Sequence, residues 1–361
     1  MSDASRCAPR FDARPVLSYN AIRHLLFRLD PEQGHRLTLR LLELAGSLAP
    51  LRSMLKRVFS YPEFSQPVQV FGLTFANPVG LAAGYDKDGR AMHGLACLGF
   101  GHLELGTVTP KPQTGNPPPR LFRLPEDQAL INRMGFPNSG AERLVARLAR
   151  RPKDIVIGVN IGKGADTPLG SAAEDYLLLL LKLQPFTDYL AVNVSSPNTL
   201  GLRQLQARLQ LQGLLQAIAE ARAERGDPRI PILVKLAPDL SDAELEDAVQ
   251  VIVETGMDGV IATNTTTSRP GLRSPLREQQ GGLSGGPLRE RALEVIHKIH
   301  DLTAGSLPVI AVGGILGPSD AAEALQAGAA MVQIYTGLVY RGPGLVREIL
   351  AGLADSRHPA L

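Results

Sequence analysis

From about residue 68 onward, short β-rich runs recur along the chain, most of them separated by a helical stretch. No other feature restricts the fold as much. The runs are read as strands at residues 78–81, 101–107, 155–161, 189–194, 232–236, 259–263, 309–312 and 331–334. Several are continuous apolar runs, as expected of parallel strands covered on both faces. The segments between them, such as 141–150, 205–225, 242–255, 290–302 and 320–327, suit helices. Eight such units close into an α/β fold, the (β/α)8 or TIM barrel, of about 250 residues. A chain of 361 residues suits one such barrel with additions or two ordinary domains, and its 44% hydrophobic content supplies a large core. The Pro-rich stretch 110–119 and residues 121–133 break the alternation and are read as an insertion over the barrel mouth.

Residues 17–60 follow a different rule and are read as a two-helix extension. Ile22, Leu25, Leu26 and Leu29 follow helical spacing. Asp30-Pro31-Glu32 looks like a restart, with Asp30 as N-cap and Pro31 at the first helical position. Leu37, Leu41, Leu44, Leu48, Leu51 and Leu55 then alternate steps of four and three, which predicts one apolar stripe. Arg23, Arg28, Arg36, Arg40, Arg52, Lys56 and Arg57 add positive charge nearby. Three readings stand: a cap packed on the core, a hairpin lying on an anionic membrane surface, or a coiled-coil dimer. The division is 1–60 for the tail and helical segment and 61–361 for the barrel.

The ends of the strands carry the polar chemistry. The first runs into Ala82-Ala83-Gly84-Tyr85-Asp86-Lys87 and the second ends at Gly106-Thr107. The third carries Asn160, and the fourth runs into Asn193-Val194-Ser195-Ser196-Pro197-Asn198-Thr199. The fifth ends in Lys235 and the sixth in Thr263-Asn264-Thr265. The seventh gives Gly313-Gly314 and the eighth Tyr335-Thr336-Gly337. In this fold the site lies at the C-terminal face, so all eight endings converge on one mouth. Glycines after the last two strands let backbone N–H groups approach a phosphate. Lys87 and Lys235 enter the same mouth, and a buried lysine needs an anionic partner. A phosphorylated cofactor and an anionic substrate would supply it.

Several classes are disfavoured. The net charge of +3 is weak, and no aromatic-interleaved basic stretch points to nucleic acid. Cys7 and Cys97 form no disulfide framework, and without CxxC or HExxH no metal site is expected. No apolar run approaches the roughly 18 residues of a transmembrane helix. The first residues lack the apolar core of a signal peptide, and Asp3 and Asp12 fall where mitochondrial presequences avoid acids. Residues 158–164 imitate a P-loop but have one residue too few between the glycines and no Ser or Thr after Lys163. Residues 281–286 are glycine-rich but follow no predicted strand, so they are no dinucleotide fingerprint.

In order and spacing, NPVGLAAGYDKDG, ELGTVTPKPQTGNPPPR, INRMGFPN, GVNIGKG, VNVSSPNT, VKLAPD, ATNTT, GGLSG, VGGI and VQIYTG resemble the dihydroorotate dehydrogenases over nearly the whole chain. Two features resemble the quinone-using, membrane-associated class. Ser196 stands where the soluble class carries a cysteine base, and LFRLDPEQGH at 26–35 looks like that class's N-terminal extension. Departures from the usual pattern are Tyr85, Gly164, Gly286 and Thr336.

The resemblance implies oxidation of dihydroorotate to orotate in pyrimidine (UMP) biosynthesis. FMN would take the hydride and a membrane quinone the electrons. It implies a peripheral protein touching membrane lipid, at the cytoplasmic face of a bacterial inner membrane. By position it implies flavin contacts at Ala83, Gly84, Tyr85, Asp86, Lys87, Thr107, Asn160, Asn193, Lys235, Thr263, Gly285, Gly314, Tyr335 and Thr336. Substrate contacts are implied at Lys87, Asn132, Arg133, Met134, Gly135, Phe136, Asn193, Asn198, Asn264 and Thr265, with Ser196 as catalytic base. Thr199 and a water would relay the proton outward, Phe136 would limit solvent, and His35 with arginines would line a quinone tunnel. A related FMN barrel reducing fumarate or NAD, and a barrel that only binds a phosphorylated ligand, are the alternatives.

Overall fold

The computed structural model describes residues 19–60, 66–224, 229–269 and 271–356. The readings made for the N-terminal tail, at Asp3, Cys7 and Asp12, lie outside these residues. Three helices open the described chain, α1 (Tyr19–Leu26), α2 (Pro31–Ser47) and α3 (Ala49–Phe59), followed by a hairpin of β1 (Val68–Val70) and β2 (Leu73–Phe75).

The barrel strands are β3 (Val79–Leu81), β4 (His102–Val108), β7 (Val156–Ile161), β8 (Tyr189–Asn193), β9 (Ile232–Leu236), β10 (Gly259–Ala262), β12 (Val309–Val312) and β13 (Met331–Ile334). All pair in parallel, and β13 returns to β3 to close the ring. The expected runs and the observed strands agree to within one residue at each end. Between the strands lie α4 (Met92–Leu95), α5 (Ala141–Leu148), α6 (Ala172–Leu183), α7 (Arg208–Ala223), α8 (Asp242–Glu254), α9 (Arg289–Thr303) and α10 (Pro318–Gln326), with α11 (Thr336–Arg341) and α12 (Leu345–Ser356) after the last strand. Local signals set these boundaries: Ser241 and Glu244 form a reciprocal capping box that starts α8.

Strand side chains alternate between two environments. Leu103, Leu105, Ile157, Val159, Leu190, Val192 and their counterparts point outward and pack under the helices in one large core. Ala191, Leu233, Ile261, Ile310 and Met331 point inward and meet Phe75 from the β1–β2 hairpin, which closes the bottom of the barrel. Above them the interior turns polar, with His102, Glu104, Tyr189, Lys235 and Gln333 all buried. Gly158 makes room for this layer, since a Cβ there would lie 2.0 Å from the Tyr189 ring.

The insertion is a sheet of its own. β5 (Leu121–Leu124) and β6 (Ala129–Asn132) form a hairpin, and β11 (Gly282–Gly285) adds to β6 antiparallel. The glycine-rich 281–286 segment is therefore itself a strand. The decoy lysine of the 158–164 segment is used locally: Lys163 Nζ donates to the Gly164 and Thr167 carbonyls.

The N-terminal extension has three helices rather than two. Asp30 caps α2 by accepting from the Glu32 and Gln33 N–H groups, as its sequence predicts. The long leucine stripe does not run through one helix, because Leu48 is extended and Pro50 begins a new turn. The stripe also faces outward. α2 docks through Gly34 and Gly46, with Leu39 and Leu42 packed on the core, while Leu37, Leu41, Leu44 and Leu48 are exposed. The approach is close: a Cβ on Gly46 would sit 2.5 Å from the Gly94 nitrogen.

Candidate active site

One cavity of about 1000 Å³, its open mouth included, occupies the C-terminal end of the barrel. This is at the upper end of ordinary ligand pockets. Strand ends contribute Ala83, Gly84 and Lys87, then Thr107, Asn193, Ser196 and Asn198, then Lys235, Thr263, Asn264 and Thr265, and finally Gly314, Tyr335 and Thr336. The β5–β6–β11 sheet and the loop after it close one side with Asn132, Met134, Gly135, Phe136 and Gly285.

Four of the expected flavin and substrate contacts do not reach this wall. Asp86 is buried below it, where its carboxylate accepts from the Arg90 and Ala91 N–H groups and so fixes the turn that presents Lys87. Asn160 bonds to Thr107 Oγ1 at 2.5 Å and Asn193 Nδ2 at 3.0 Å, orienting two residues that do line the cavity. Arg133 turns outward over the Phe122 ring and toward Gln279. Tyr85 lines a different cavity.

The electrostatics separate the two lysines. From the sequence, both are expected to meet an external anion. Lys235 instead has a protein partner, the fully buried Glu104, with Nζ 3.5 Å from Oε1. Glu104 also accepts from Asn160 at 2.9 Å, Gln333 at 2.8 Å and Tyr189 at 3.2 Å. Lys87 donates to the Gly84 carbonyl at 2.8 Å and pairs with no carboxylate among the described residues. Burial pulls its ammonium down to about 8, with Asp88 acting against that shift. Lys87 is thus the cation that a bound anion would complete. Gln333 Oε1 and Thr199 Oγ1 are buried without a hydrogen-bond partner.

Sequence reading missed Glu104 and Gln333. The signal was present: in 102–106 His, Glu and Gly alternate with Leu103 and Leu105, and in 331–334 Gln333 interrupts an apolar run. Period-two alternation places these residues inside the barrel.

Asparagines dominate the rest of the wall. Asn264 Nδ2 lies 3.3 Å from Asn193 Oδ1, and Asn198 Nδ2 donates to Asn132 Oδ1 at 3.1 Å. Ser196 is buried, and its Oγ accepts from the Asn198 N–H at 3.2 Å. Ser284 and Thr336 hydroxyls meet at 2.8 Å beside Gly285 and Gly314.

A second cavity of about 530 Å³ lies between α1, α2 and the barrel. Tyr19, Phe27, His35, Thr38, Tyr85, Arg123 and Tyr335 are among its lining residues, and Tyr335 lines both cavities. His35 stacks edge-on against Tyr85 at 5.0 Å. Desolvation, then the Lys87 charge, hold His35 down at about 3, so it is neutral across ordinary pH.

The family model for dihydroorotate dehydrogenase matches residues 66–356. The chain belongs to the dihydroorotate dehydrogenase family. A dihydroorotate dehydrogenase (quinone) of Azotobacter vinelandii is 48% identical over 343 residues, covering 94% of this chain and 97% of the relative. One of Pseudomonas fluorescens is 48% identical over 343 residues, 94% of this chain and all of the relative. The crystal structure of DHODH in complex with ferulenol from Eimeria tenella superposes with a TM-score of 0.82 at 38% identity, over 91% of each chain. The dihydroorotate dehydrogenase model begins after α3, yet the bacterial relatives leave too little unmatched to exclude α2. The helical extension is therefore shared with proteins named for quinone.

Proposed function

We propose that this chain oxidises dihydroorotate to orotate for pyrimidine biosynthesis, with FMN as hydride acceptor and a membrane quinone as final electron acceptor. The observation that carries the reading is the meeting of Lys87, Ser196 and four asparagines, Asn132, Asn193, Asn198 and Asn264, in one cavity. A cyclic ureide with a carboxylate needs neutral donors and acceptors around its ring and a cation at its acid. The wall offers both.

The residues present fit a phosphorylated flavin. Backbone N–H groups at Gly314, Thr336 and Gly337 would hold the phosphate, and Gly314 has no space for a side chain, since a Cβ would meet Arg289 at 2.4 Å. Thr107, Asn193, Lys235 and Thr263 would hold the ring, with Asn160 bracing the first two. When bound, the flavin supplies the acceptor for the hydride that leaves C6 of the substrate.

The chain's own residues manage the proton. Ser196 is the proposed base for C5, and its Oγ is oriented by the Asn198 N–H. A serine hydroxyl needs an outlet for the proton it takes. Thr199 Oγ1, buried and without a partner, supports a relay through a water. Lys87 would hold the substrate carboxylate and stabilise negative charge that grows as the proton leaves. Phe136 covers the cavity wall and keeps solvent from the reacting carbons.

Residues 1–60 are the proposed quinone and membrane segment and 61–361 the catalytic domain. Among the described residues, nine of the sixteen exposed large apolar side chains fall between residues 22 and 58, a concentration that water-facing helices do not need. With Arg28, Arg40 and Arg57 exposed beside them, they support a face that lies in a bilayer interface. No helix among the described residues is long and apolar enough to cross a membrane. The cavity under α1 and α2 is the proposed quinone pocket, with His35 and Arg123 as polar lining. The proposed attachment is at the cytoplasmic face of a bacterial inner membrane.

One experiment tests the whole. Purified protein should be yellow, and anaerobic dihydroorotate should bleach it. Quinone should restore the colour faster than fumarate or NAD⁺. Protein that is colourless, or whose colour dihydroorotate leaves unchanged, overturns the proposal.

A further inference from the structure

The helical extension is tied to the substrate wall by a chain of hydrogen bonds that runs through none of the proposed quinone-pocket residues. It begins at Glu32 in the first turn of α2. Arg120, itself buried, grips this carboxylate with two bonds, Nε to Oε2 at 3.0 Å and Nη2 to Oε1 at 2.8 Å. A paired guanidinium and carboxylate of this kind fixes direction as well as distance. The remaining Arg120 nitrogen donates to the Thr114 and Asn116 carbonyls, both at 2.7 Å. Arg120 thereby holds the Pro-rich segment in place.

Asn116 carries the connection onward. Its Nδ2 donates to the Arg133 carbonyl at 3.0 Å and to the Asn198 carbonyl at 3.2 Å. Both partners are carbonyl oxygens, so the amide can face only one way. Asn198 in turn donates from its side chain to Asn132 and from its backbone to Ser196 Oγ. One half-buried amide therefore braces two proposed substrate contacts and the proposed base.

We propose that Glu32 is a positioning residue for the substrate site, acting through Arg120 and Asn116 on Asn198, so that the seating of the helical extension sets affinity for dihydroorotate and orotate. The inference rests on the reading of Asn198 as a substrate contact. Its physical basis is restricted motion. With Glu32 in place the 114–120 segment has one arrangement, and without it Arg120 is a buried cation lacking its carboxylate and must find other partners. Glu32 and Arg120 also act on the Lys87 charge at longer range. Asn116 is neutral, so substituting it cuts the relay without altering that field.

The test uses the flavin-loaded full chain in detergent, titrated with orotate by calorimetry, with dihydroorotate and quinone kinetics alongside. Glu32→Gln and Asn116→Ala should each raise the orotate Kd and the dihydroorotate KM about threefold to tenfold, with kcat changed less. The double variant should be no worse than the worse single one, as for two links of one chain. Arg36→Ala, which removes the other cation on Glu32 but leaves the relay intact, should keep the orotate Kd of the parent. An unchanged orotate Kd in Glu32→Gln, or effects that multiply in the double variant, overturns the relay. If Glu32→Gln does not fold, Asn116→Ala alone decides, because it leaves the ion pair in place. Asn198→Ala separates the two readings. If it leaves the orotate Kd unchanged, the substrate assignment itself fails. If it weakens orotate while Glu32→Gln does not, only the relay fails.

Discussion

The roles proposed for Ser196 and Lys87 differ, and each has its own signature. Removing the Ser196 hydroxyl should leave the flavin bound, because Ser196 only borders the cavity, but should slow anaerobic reduction by dihydroorotate about 10²-fold or more. A stopped-flow rate equal to the parent's in Ser196→Ala would remove it as the base. Lys87 titrates at about 8. Its ordinary value is about 10.4, so folding disfavours its charged form. Below about 8 the charge is present and can hold an anionic substrate; above it the charge is lost. The kcat/KM for dihydroorotate should therefore fall as pH rises through about 8, since that parameter reports the free enzyme. A profile flat up to about 10.4 would show that the cation is dispensable. That both residues line the cavity was legible from residue types at strand ends. The pairing of Lys235 with Glu104 was not, because 131 positions separate them in sequence and only the inward register of two strands brings them together.

At the scale of elements, the helical extension is the part whose sequence could be read in more than one way. Its leucine period was plain, but a period does not say which side the stripe faces. The deciding information lies in small residues: Gly34 and Gly46 form the docking face, and the leucines are left outside. Leu41 and Leu44 are 55% and 56% exposed, so charging them should cost the fold little. Leu41→Glu with Leu44→Glu should abolish co-sedimentation with anionic lipid vesicles and lower quinone turnover. Flavin reduction by dihydroorotate should stay at the parent rate. Equal loss of both half-reactions would count against separate roles for helices and barrel. The β5–β6–β11 sheet escaped sequence reading for a related reason. Its third strand comes about 150 residues after the second, and strands this short have no partner-independent signal.

Across the whole molecule, chemistry and stability occupy opposite ends of the barrel. At the lower end one device appears twice. Asp188 accepts from the Ile157 N–H and pairs with Arg151, and Asp258 accepts from the Ile232 N–H and pairs with Arg222. Each aspartate, just before one strand, closes the start of its neighbour and ties it to an arginine at or just beyond the end of a helix. Asp258→Asn should lower the free energy of unfolding by about 1–3 kcal/mol in urea titration and leave the kinetics of dihydroorotate oxidation as in the parent. The barrel itself was the most legible level, because eight apolar runs with polar endings leave few other folds. Least legible was whatever depends on two distant segments meeting, including the cavity shared at Tyr335. The plug of Phe75 has a practical outcome. Phe75 closes the lower end to small molecules, so substrate reaches the cavity only from the other end. The exposed turn at 304–306, which connects α9 to β12 at that end, is where the protein can be anchored to a bead. A cysteine at position 306 would orient a sensor with its working end outward.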